Sequence, residues 1–154
     1  MALPNHLKRK IGSTAPAVVF EIEKGQIRRF ASAIGETNPV HHDEASAQSA
    51  GFASLVAPVG FPAALDATRA LYETLGLHAR TPMHAEEEYE YFREICAGDV
   101  LTVQHEVTDI YQSESPRGVL TFYVIQTRAA DRQAEQVFKG RRVLVTLDAA
   151  EARR

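Results

Sequence analysis

The stretch Gly35-Glu36-Thr37-Asn38-Pro39-Val40-His41-His42-Asp43 gathers imidazoles, carboxylates and a carboxamide around a turn whose proline restricts the backbone. Proton transfer near neutrality needs a group that titrates there, and an unperturbed histidine does so at about pH 6.5. His41 or His42 is therefore the candidate acid–base group. A neighbouring acid can orient such a ring and hold its charged form; Glu36 and Asp43 are the local ones, while Asn38 either orients a water or caps the turn. A metal site built from His41, His42 and Asp43 is disfavoured, because adjacent side chains in a turn diverge and no second spaced cluster completes a ligand set. Neither a metal nor any other cofactor is expected.

The remaining reactive residue types have plainer readings. Cys96 is the single cysteine, which excludes a disulfide framework, and beside Ala97-Gly98 it reads as a small packed residue. His84 and His105 fall on strands as structural or surface histidines, and His6 and His78 read as exposed. The run Glu86-Glu87-Glu88 reads as a solvated strand edge.

The elements that must position the loop follow from periodicity. A short strand at Val18–Ile22 precedes a helix marked by Ile27, Phe30, Ala31 and Ile34, and Gly35 stands where a helix stops. One or two helical turns fit Glu44–Ala50. Phe61, Leu65, Thr68, Leu71, Tyr72 and Leu75 keep near-helical spacing and predict one long helix, with Pro58 and Pro62 near its start. Four strands then follow in series: one around Glu88–Tyr91, one through Leu101, Val103, His105 and Val107, one at Val119–Thr127 and one at Val137–Leu147. Serial strands joined by short turns imply an antiparallel sheet, and so apolar a helix must be buried against it, giving an α+β fold.

Composition fits one domain: 154 residues, 45% apolar and 24% charged. The domain is read as 12–147, with tails at 1–11 and 148–154. Seventeen Lys and Arg against 20 Asp and Glu give a net charge of −3, which lacks the basic field that nucleic acid or an anionic membrane demands. No window approaches the roughly 18 apolar residues of a membrane span, and the N-terminal charges follow too short an apolar stretch for a secretory signal. A cytoplasmic protein is expected.

The motif from Gly35 to Asp43 resembles the hydratase motif of the MaoC-like dehydratases, G-D-x-N-P-x-H-x-D, carried on the hot-dog fold. The run Gly51-Phe-Ala-Ser-Leu-Val-Ala-Pro-Val-Gly-Phe-Pro62 resembles the passage into the central helix, particularly of N-terminal-type MaoC domains. Met83–Tyr91 followed by Gly98-Asp99-Val100-Leu101 is similar to a strand and turn of the same domains. The resemblance implies a sheet wrapped around one long helix. It also implies an acid–histidine pair that activates water at the β-carbon of an acyl thioester. His41 matches the histidine, Glu36 holds the aspartate position with one more methylene, Asn38 matches the supporting asparagine, and Asp43 the terminal acid, read as structural.

A thioester carbonyl gains charge as the α-proton leaves, so a donor must already face it; by analogy Gly60, opening the long helix, is that candidate. Arg69, Arg80, Arg93, Arg117, Arg141 and Arg142 are available for the phosphates of coenzyme A or a carrier protein. The leading expectation is reversible hydration of trans-2-enoyl thioesters to (R)-3-hydroxyacyl thioesters. A homodimer, or a heterodimer with another MaoC-like subunit, would cover the open sheet edge. Two alternatives stand beside it: a non-catalytic acyl-binding subunit of a heteromeric dehydratase, and a thioesterase using Asp66 or Glu73.

Overall fold

Along the third strand, Leu101, Val103, His105 and Val107 point to one side and are buried, while Thr102 and Gln104 between them are exposed. A register shift between Val107 and Asp109 hands the buried face on to Ile110. The same alternation organises a five-stranded antiparallel sheet. Its strands are β1 (Val18–Glu21), β2 (Met83–Tyr91), β3 (Val100–Ser115), β4 (Gly118–Ala130) and β5 (Gln136–Ala149), in the order β1-β3-β4-β5-β2. The computed structural model of the chain describes residues 2–65, 68–77 and 82–149.

Among the described residues four α-helices accompany the sheet: α1 (Asn5–Lys8), α2 (Lys24–Ala33), α3 (Glu44–Ser49) and α4 (Thr68–Leu75). A capping box opens α2, in which Gln26 Oε1 accepts from the Glu23 N–H at 3.0 Å. Beyond its end, Gly35 takes the left-handed backbone at φ +72°. The long helix expected over 61–75 is divided. Phe61–Ala64 form a 3₁₀ turn with Pro62 near its start, Leu65 leaves the helical region at ψ 90°, and among the described residues the α-helix runs Thr68–Leu75. Residues 66–67 and 78–81 lie outside the described residues, and with them Asp66, His78 and Arg80.

Among the described residues the buried apolar side chains form two clusters. One joins Ile22, Ile27, Leu55, Phe61, Leu101, Val103 and Phe138. The other joins Leu71, Leu75, Val107, Ile110, Ile125 and Leu144, and it includes Leu7 of α1, so part of the segment ahead of Gly12 is anchored. Gly12 N–H donates to Val107 O at 2.7 Å and Ala15 N–H to His105 O at 2.9 Å, extending that anchor along β3.

A polar seam crosses the sheet between the clusters. His105, Thr127, Gly140 and Tyr89 stand in one row, with Arg142 opposite Glu87 beside it. Arg142 is 7% exposed and donates to both Glu87 oxygens at 3.0–3.2 Å. Glu87 also accepts from the Tyr89 hydroxyl and pairs with His84. The acidic run is thus a solvated edge only at Glu86 and Glu88. Strand parity turns Glu87 inward with Tyr89 and Tyr91. Gly140 makes room for the Tyr89 ring, because a Cβ there would stand 3.0 Å from Tyr89 Cδ1. Among the described residues no helix is long and apolar enough to cross a membrane.

Candidate active site

Gly35 delivers the chain from α2 into a loop whose polar side chains mostly bond to the loop itself. Asn38 Oδ1 accepts from the Val40 N–H at 3.2 Å and opens the 3₁₀ turn Pro39–His41. Asp43 Oδ2 accepts from the Ser46 N–H at 2.7 Å and the Ser46 hydroxyl at 2.6 Å, capping α3. His42 Nε2–H donates to the Glu36 carbonyl at 2.7 Å, and Arg28 Nε donates to the His42 carbonyl at 2.9 Å. The two adjacent rings therefore reach for different carbonyls and diverge.

His41 is used differently. It is 9% exposed, and its Nδ1–H donates to the Val56 carbonyl at 2.7 Å. A carbonyl can only accept, so in the neutral ring Nδ1 carries the proton and Nε2 carries the lone pair. Val56 is held from both sides. Its N–H donates to Val40 O at 3.1 Å, and the flanking bonds Ala57 N–H to Ile95 O and Ala97 N–H to Leu55 O, both 2.8 Å, fix it against the segment before β3. Asp99 braces that segment, accepting from the Cys96 N–H at 2.9 Å and from Arg93 at 2.8 Å.

His41 and Glu36 line the same cleft, of about 500 Å³. Its apolar walls are Ile34, the stretch from Val56 to Val59, and Tyr91, Phe92 and Ile95. The Tyr91 hydroxyl donates to Val59 O at 2.6 Å and ties two walls together. Ile34, Val59 and Phe92 leave 55%, 80% and 49% of their surface open. Glu36 Oε1 accepts from the Asn38 N–H at 2.9 Å. That bond holds its carboxyl below the usual range, helped by the Thr37 N–H and by the nearness of His41 and His42, against a smaller opposing effect of partial burial. Glu36 thus brings a carboxylate to the same cleft as an imidazole whose Nδ1–H is committed to a carbonyl, residue types suited to taking a proton from water and returning it nearby.

The other proposed site residues are placed elsewhere. Asn38 shapes the turn. Gly60 opens the 3₁₀ turn at Phe61 and faces the Phe30 ring, outside the cleft wall. Glu73 pairs with Arg69 on α4 and does not line the cleft. Of the arginines, Arg93 reaches the cleft but is bound by Asp99 and Asp131, Arg141 is paired with Glu86, and Arg142 is buried. The Val56 carbonyl that sets the His41 tautomer, and the Tyr91 tie, escaped the sequence reading. Backbone acceptors leave no residue-type signal, and Tyr91 gave only its strand parity.

Fold and cleft together define a hot-dog protein of the dehydratase and hydratase type. Residues 9–140 match the family described as FAS1-like, dehydratase domain region, and the chain belongs to that family. It is 31% identical over 140 residues to a UPF0336 protein of Saccharopolyspora erythraea, covering 88% of this chain and 87% of the relative. A solved MaoC-like dehydratase superposes with a TM-score of 0.81 at 25% identity, over 93% of this chain and 44% of that longer one. A chain of the C-terminally truncated HadBC (3R-hydroxyacyl-ACP dehydratase) complex of Mycobacterium tuberculosis shares the fold with a TM-score of 0.77 at 19% identity, covering 89% of this chain and 97% of that one.

Proposed function

We propose that the chain reversibly hydrates trans-2-enoyl thioesters to (R)-3-hydroxyacyl thioesters, with His41 and Glu36 as the acid–base pair. The observation that carries this is the buried His41, whose Nδ1 is committed to Val56 O while its ring shares a mostly apolar cleft with the Glu36 carboxylate. In the hydration direction a water between the two gives up a proton to the pair. Its oxygen bonds to the β-carbon, the electron pair of the double bond moves to the α-carbon, and the pair returns one proton there. Dehydration is the reverse. The carboxylate orients the water and offsets the charge the imidazole gains. The thioester is carried by coenzyme A or a carrier protein, and no bound cofactor is needed to balance the step.

A second reading keeps the fold and assigns this chain to acyl binding within a heteromeric dehydratase. It is favoured by the open apolar rim of Ile34, Val59 and Phe92, which a second subunit would cover, and by the Glu36 oxygen already engaged by Asn38. A crotonyl-CoA hydration assay on the purified chain, beside His41→Ala, separates the two. Turnover by the chain alone that collapses in the variant supports the proposal. Turnover that arises only with an added hot-dog partner, and that survives His41→Ala, overturns it in favour of the binding subunit.

A further inference from the structure

In the motif G-D-x-N-P-x-H-x-D the residue after the histidine is unspecified, and in this chain it is His42. Its half-buried ring does not line the cleft. Instead its Nε2–H donates to the Glu36 carbonyl at 2.7 Å, while the His42 N–H donates to Pro39 O at 2.9 Å and the His42 carbonyl accepts from Arg28 Nε of α2 at 2.9 Å. Glu36 is in consequence held at three points. Its N–H donates to Ala31 O at 2.9 Å, its carbonyl accepts from His42, and its Oε1 accepts from the Asn38 N–H at 2.9 Å. The first two bonds fix the peptides on either side of its Cα, and so the direction in which the side chain leaves the backbone. The third fixes one carboxylate oxygen. Glutamate reaches its carboxylate through one more rotatable bond than the aspartate of the motif, so more conformations must be closed off before the group stands in one place.

We propose that His42 is a positioning residue for Glu36: its ring, anchored from α2 through Arg28, holds the Glu36 peptide so that the carboxylate stands in the cleft that His41 also lines. The use made of that carboxylate rests on the hydratase reading above; the positioning itself rests on the hydrogen bonds. His42 exchanges no proton with water or substrate. Its Nε2 carries a proton in this neutral tautomer and in the imidazolium alike, so the tie to Glu36 survives protonation of the ring. The adjacent histidines thus divide the work, one ring at the cleft and the other behind the acid.

The test compares His42→Ala, which removes the donor, and His42→Gln, which keeps a side-chain N–H, with the wild type. Two measurements are made: kcat and KM for crotonyl-CoA hydration, and hydrogen exchange of the Asn38 amide by NMR, which reports the bond to Glu36 Oε1 without needing turnover. His42→Ala is expected to lower kcat about tenfold with KM changed less than about twofold, as a misplaced catalytic group does, and to speed Asn38 exchange about tenfold. His42→Gln should recover most of both. If His42→Ala does not fold, His42→Phe, which keeps a ring without the donor, takes its place. Asn38 exchange unmoved in a folded variant overturns the positioning role whatever the activity. A kcat that falls as far as in His41→Ala, and that glutamine does not recover, also overturns it, by making His42 itself an acid–base group. Asn38 exchange that speeds in alanine and recovers in glutamine, with no hydration by any of the proteins, sustains the positioning and rejects the hydratase reading instead.

Discussion

His41 in the loop and His105 in the sheet are both buried, and both commit Nδ1 to a hydrogen bond, to Val56 O at 2.7 Å and to Thr127 Oγ1 at 2.8 Å. They part at the other nitrogen. His41 lines a cleft, whereas His105 Nε2 is buried without a partner, beside the Arg142 guanidinium. Burial, reinforced by that cation and only partly opposed by Glu87, pushes His105 down to about 4, so it is a neutral wedge between two apolar clusters. Residue type therefore does not decide a histidine's work. A ring whose neighbours are satisfied by their own backbone is left available for chemistry, while one inside a row of mutually neutralising charges serves stability.

The contrast can be broken most severely at the seam. Glu87→Gln leaves Arg142 charged and buried without its counter-ion and is expected to cost roughly 3 kcal/mol in urea unfolding. His41→Ala, which gives up one hydrogen bond and no ion pair, should cost clearly less, about 1 kcal/mol, and an equal loss in both would erase the distinction. Next in size, His41→Ala should lower enoyl-thioester hydration about 100-fold, against little change for His105→Asn, which keeps a hydrogen-bonding group for Thr127. Comparable losses in the two variants would move the catalytic role away from the loop.

A smaller effect is the response to acid. The unfolded chain binds a proton at His105 near pH 6.5 and the folded chain only near 4, so the stabilisation is complete above 6.5 and is lost as pH falls through 4. Denaturant midpoints measured across that range should fall on acidification, and His105→Asn should flatten the slope. A slope unchanged in the variant would show that other groups cause it. Smallest of all, Glu36→Asp should preserve or modestly raise hydration, because the charge stays and only one methylene is lost. A large drop would mean that the loop, with its Asn38 N–H bond, is fitted to the longer side chain.

Much of this arrangement is legible from residue order alone. Parity marks β3, a dense β-branched and aromatic run marks β4, and Asn38-Pro39 with Gly35 marks the loop as a turn after a helix, because these signals are local and each residue carries its own. What escapes is set by distant partners. Charged letters at Glu87 and Arg142 suggest solvent until the β2–β5 register puts them opposite each other. The break at Leu65 is hidden because apolar spacing survives a change from 3₁₀ to α geometry. That Phe30 packs beside Gly60 is likewise a contact between distant residues. Four helical residues at α1 are too few to leave a period, so the burial of Leu7 is invisible in the sequence.

The acceptor that prepares His41 is a peptide oxygen, and this has a practical corollary for anyone redesigning the protein. Exchanging the side chain at position 56 for another of similar bulk leaves the oxygen where it is. Losing the bonds that pin this peptide to Val40 and its neighbours to Ile95 and Ala97 would move the oxygen from beneath the ring. The setting of the His41 ring is thus encoded here as backbone pairing: it tolerates a changed letter and is vulnerable to a lost partner.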